Sequence, residues 1–91
     1  MEDYILNKRR KARTELRNYM AHNQIEIQNT FKVKVPLTIV NMSNGKFEKW
    51  IYQNLLNFQQ FSILDNNITF SILLNKFISA NEEANEICIN Q

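Results

Sequence analysis

Six of the eleven cationic side chains in this 91-residue chain fall within ten positions: Lys8, Arg9, Arg10, Lys11, Arg13 and Arg17. On a helix Arg9, Arg13 and Arg17 are successive i, i+4 neighbours, with Arg10 beside them, so they form one ridge. Lys8 and Lys11 fall on the other flank, near Glu15, which can pair with Lys11. The ridge itself has no acidic residue at i±4, and like charges at that spacing repel by a few tenths of a kcal/mol. Something outside the helix must offset that repulsion. A guanidinium offers a planar fork suited to phosphate or carboxylate. The ridge is therefore a candidate grip for nucleic-acid phosphates, DNA or RNA, and for an acidic protein partner. A bland alternative is a solvated face, or pairing with the chain's own acidic end at Glu82, Glu83 and Glu86.

The residues for other chemistry are few. His22 and Cys88 are the only histidine and cysteine, and no motif supports either as a nucleophile or base. That inventory cannot build an ordinary zinc site. There is no glycine-rich phosphate loop, since Gly45 is the only glycine. The expectation is a binding protein without catalytic residues, metal or cofactor.

Position matters more than the net charge of +2. Residues 1–7 sum to −2, residues 8–49 to +7 and residues 50–91 to −3. Length implies one small domain over 1–91 with a small core. The aromatic and aliphatic content is too high for a disordered chain. No apolar run is long enough to cross a membrane, and MEDYILNKRRKARTE is no signal peptide. A lone cysteine fits a reducing compartment, so a cytoplasmic location is expected. Fourteen asparagines and eleven isoleucines suggest A·T-rich coding, as in phages, plasmids and low-GC bacteria.

These residues need elements to hold them. Residues 3–22 read as the basic helix, with Ile5, Ala12, Leu16, Tyr19 and Met20 on one face and Asn23 as its stop. Across 25–40 the apolar residues Ile25, Ile27, Phe31, Val33, Val35, Leu37 and Ile39 are all odd-numbered, which is strand periodicity. This predicts a β-ribbon, either a hairpin of 25–28 with 31–35 or one bent strand over 31–40, and an α+β fold. Ser43 or Asn44 can cap an amphipathic helix over 46–61, carrying Phe47, Trp50, Ile51, Leu55, Phe58 and Phe61. Asp65-Asn66-Asn67 reads as a turn. Residues 68–74 alternate like a strand, in a hairpin with 61–64. The stripe Phe70, Leu73, Phe77, Ala80, Ala84 and Ile87 instead predicts a helix over 66–86. That stripe is also a candidate seam for a homodimer, which would enlarge a small core. Trp50 and Phe58 belong to the core stripe of their helix, whereas Tyr52 sits off it and could offer a stacking face.

Two resemblances follow from these segments. Residues 1–20, with KRRKAR at 8–13, look like the arginine-rich RNA-binding helices of phage antitermination proteins. The order FKVKV at 31–35, then two helices, resembles the ribbon-helix-helix proteins. That likeness implies a dimer paired through the strand, with Lys32 and Lys34 reading bases. The chain departs from that pattern in its preceding basic helix, its long strand-to-helix connection and an inter-helix turn without glycine. Together the expectation is a small regulatory nucleic-acid-binding protein. The alternative is a protein-binding inhibitor or adaptor, such as a phage protein that blocks a host or defence complex. It would dock through the same residues.

Overall fold

The computed structural model describes residues 2–62 and 68–89, and all regular structure among them is α-helical. The helices are α1 (Glu2–His22), α2 (Gln24–Phe31), α3 (Asn44–Gln53), α4 (Leu55–Ser62) and α5 (Ile68–Ile89). The two long helices, α1 and α5, form the main pair. Lys8 bonds to Glu83 near one end and the Tyr19 ring meets Phe70 near the other, so they run antiparallel. The smallest extent of the molecule is 19 Å, room for about two helix layers.

The expected α+β fold with a β-ribbon over 25–40 is thereby corrected. Residues 24–31 are helical: Ile27 and Phe31 are buried one turn apart, while Ile25 is 74% exposed. A strand would have put Ile25 and Ile27 on one face. Burial of Ile27 and Phe31 outweighs the modest strand preference of this isoleucine-rich stretch. Beyond Phe31 the alternation survives without a partner strand. Val33 and Val35 are buried and Lys32 and Lys34 exposed, but the chain there is an irregular connection. Its amides find other acceptors, as when Val35 N donates to Gln28 Oε1 at 2.9 Å. Leu37 breaks the pattern at 87% exposure, in a turn where Ile39 N donates to Pro36 O.

Asparagine does the work that glycine does in most chains. Asn23 ends α1 as predicted, and its side-chain Nδ2 donates to the Tyr19 carbonyl at 2.8 Å. Asn54 uses the same device on Trp50, at 2.9 Å. There it splits the helix predicted over 46–61 into α3 and α4. Ser43 caps α3 by accepting from the Lys46 amide. The ambiguous residues 68–74 are helical, so a hairpin of 61–64 with 68–74 is also corrected. The predicted turn at 65–67 lies outside the described residues.

The core explains why. Phe31, Phe58 and Phe70, from α2, α4 and α5, meet at ring-centroid distances of 4.7–5.6 Å. Trp50 adds an edge contact to Phe58. A second group joins Phe47 and Tyr52 of α3 to Phe77 of α5. Each buried phenylalanine contributes about 2–3 kcal/mol. Of the stripe considered as a dimer seam, Phe70, Phe77, Ala80 and Ala84 are buried within the chain, Leu73 is partly buried, and the Ile87 side chain lies outside those described.

Candidate binding surface

Helix α1 places its cations on two flanks. At 100° per residue, Arg9, Arg13 and Arg17 point to one side, and Lys8, Lys11 and Glu15 to the other. The arginine flank faces α3. Arg9 Nη2 sits 3.0 Å from Glu48 Oε2, and Arg9 Nε donates to Glu48 Oε1 and, at 2.8 Å, to Asn81 Oδ1. Arg13 Nη1 lies 3.7 Å from Glu48 Oε1. The side chains of Arg13 and Glu48 are only 14% and 16% exposed. Asn81 is the one buried polar residue among those described, and its Nδ2 donates to the Tyr52 hydroxyl.

Arg17 meets no carboxylate among the described residues. Its Nη1 donates to the Met42 carbonyl at 3.0 Å and its Nη2 to Asn44 Oδ1 at 3.3 Å. Its guanidinium lies over the Phe47 ring, 4.7 Å from the centroid, and its Nε is buried without an acceptor among the described residues. Burial, and then neighbouring Arg13, push its pKa below the usual arginine value. Aromatic stacking of a weakly hydrated guanidinium suits such a site, where a lysine ammonium would not.

Three of the four arginines expected to grip a partner are therefore engaged inside the fold. The counter-charge of Arg9 and Arg13 is Glu48, 39 residues from Arg9, rather than the acidic end. Sequence spacing could not bring Glu48 to the ridge, although its place on the apolar flank of the 46–61 helix was a usable signal. Arg10 is the exception: it is exposed and, among the described residues, bonds only Asn7 on its own helix.

The other flank is open. Lys8 pairs with Glu83 at 3.1 Å, and that hydrogen bond and charge raise its pKa above the ordinary lysine value. Lys11 makes no ion pair with Glu15 or any other described residue. Lys32 and Lys34 are exposed in the connection between α2 and α3, so they flank no ribbon. Lys32 caps α2 in the left-handed region, at φ 56°. Tyr52 packs on Phe77 and accepts from Asn81, and it stays 44% exposed, as expected of a residue off the core stripe.

Between the lysine flank of α1 and α5 runs a groove of about 570 Å³. Ala12 and Ile72 line it, together with Lys8, Lys11 and Lys76. Among the described residues no group of three His, Cys, Asp or Glu could hold a metal ion, and no helix is long and apolar enough to cross a membrane. Comparison with protein-family models, curated proteins and solved structures finds no match.

Proposed function

We propose that this chain is a non-enzymatic protein-binding module, an adaptor or inhibitor, that engages an acidic protein surface through the exposed cations of α1. The observation that carries the reading is the division of the α1 charges. Arg9, Arg13 and Arg17 hold α3 and α5, leaving Lys8, Arg10 and Lys11 at the surface. The nucleic-acid reading rested on a free arginine ridge, and internal bonding takes its main forks away. The remaining surface cations lie beside an apolar groove, which a phosphate backbone does not require and a protein surface does.

The test is a nuclease-treated pull-down with wild type and Arg10→Glu/Lys11→Glu. The reading expects a stoichiometric protein complex with wild type, lost or greatly weakened on charge reversal. It is overturned if no protein is captured. It is equally overturned if wild type binds mixed DNA or RNA with steep salt dependence and charge reversal abolishes that binding.

A further inference from the structure

We propose that the groove between α1 and α5 is the docking site for an acidic amphipathic helix of the partner, an inference that rests on the protein-partner reading above. Shape is the first argument. The groove's α1 wall runs from Lys8 to Glu15 and its α5 wall from Ile72 to Ser79, about 10 Å or two turns each. Two antiparallel helices with an open seam between them offer a rest for a third. α3 covers the arginine flank of this pair, on the other side of α1.

The apolar content fits one helix face. Ile72 is 50% exposed at the groove, and Ile68, one turn away on α5, is 67% exposed. Tyr4 on α1, close enough to Lys8 to influence its charge, is exposed beyond the other end. Within the groove itself Ala12 and Ile72 are the apolar contacts, one on each wall.

Charge selects the sign. The groove is lined by three lysines and one carboxylate, Glu15. Glu83 is bonded to Lys8 at the margin, and no ion pair holds Lys11 or Lys76 among the described residues. The free ammonium groups therefore sit on both walls, one on α1 and one on α5. A helix with glutamates flanking its apolar stripe would meet both. Among the described side chains of α5 the exposed apolar residues, Ile68 and Ile72, lie at one end and the exposed Glu82 and Glu86 at the other, so α5 of a second copy does not meet that pattern within two turns.

The experiment uses a helical peptide with leucine anchors flanked by glutamates, and a twin with lysines in place of the glutamates. Binding is read by anisotropy and by chemical-shift mapping of the labelled protein. The expected shifts centre on Ala12, Ile72 and Ser79. The lysine twin, and the Ile72→Glu and Lys11→Glu variants, should each weaken binding by about tenfold or more, with Lys34→Glu, in the connection between α2 and α3, within about twofold of wild type. Ile72 is half exposed, so its replacement should leave the fold intact, which the spectrum itself verifies. Equal affinity for both peptides, or shifts away from the groove, overturns the proposal. If Arg10→Glu abolishes binding and Ile72→Glu does not, the groove is wrong while the acidic-partner reading stands. Binding of an oligonucleotide but of neither peptide defeats both. A dimer in sedimentation that Ile72→Glu dissociates would assign the groove to a second copy and overturn the proposal.

Discussion

The inner and outer flanks of α1 carry the same sign of charge and use it differently. The inner flank holds arginines only: Arg9, Arg13 and Arg17 reach a carboxylate, a side-chain amide, a carbonyl and an aromatic face. The outer surface holds Lys8, Lys11 and Arg10, whose single bonds are exposed or absent. A guanidinium is weakly hydrated and presents donors in a fixed fork, so it tolerates half-burial between helices. An ammonium is strongly hydrated and remains at the surface. The difference teaches that a cluster of cations in one decade of sequence is two systems, one for cohesion and one for contact. Glu48 is the hinge of the comparison. It is the one carboxylate that contacts the inner arginines among the described residues, and the guanidiniums of Arg9 and Arg13 share it.

The largest test of that contrast removes Glu48. Glu48→Gln leaves Arg9 and Arg13 facing each other without a counter-charge, and should cost about 2–4 kcal/mol, a Tm fall of at least about 8 °C. Arg10→Gln on the outer face should stay within about 0.5 kcal/mol by the same denaturation assay. Equal effects of the two would erase the distinction. Next, Asn81→Leu takes from Arg9 Nε the shorter of its two hydrogen bonds and from the Tyr52 hydroxyl its donor, for a loss of about 1–2 kcal/mol in urea unfolding.

Arg17→Lys asks whether fork geometry rather than charge matters. It keeps the charge but loses the bonds to Met42 and Asn44 and the stacking on Phe47, with an expected loss of about 1–2 kcal/mol by calorimetry. Smaller still is Lys32→Gly. The left-handed φ of 56° favours glycine, so this outer lysine should be replaceable with a gain of up to about 1 kcal/mol. Lys8 gives the weakest signal. Its folded pKa lies above the ordinary 10.5, so its contribution is complete below that pH and is lost as pH rises through the folded value. Lys8→Met should remove that small alkaline limb of the stability profile and lower neutral-pH stability by no more than the same small amount.

Much of the helical content was legible. α1, with its stop at Asn23, follows from composition and spacing, and the long stripe of α5 outcompeted its strand-like beginning because Phe70, Phe77 and Ala80 bury along it. The segment 25–40 was not legible. Its odd-numbered apolar residues fit a strand, and only tertiary burial of Ile27 and Phe31 makes 24–31 a helix. The alternating Val33 and Val35 are buried as an irregular connection, which periodicity alone cannot tell from a strand. The site was half legible. The cations were visible in the sequence, but which flank faces solvent depended on Glu48 and Asn81, distant residues that only the fold brings to α1.

The central claim is that the inner arginines are bound to this protein and not held for a ligand. A double-mutant cycle on Arg9→Gln and Glu48→Gln, measured by urea unfolding, tests it most directly. The account predicts a coupling of about 1–3 kcal/mol between the two. A coupling below about 0.3 kcal/mol would contradict it and return the ridge to the surface as a candidate grip.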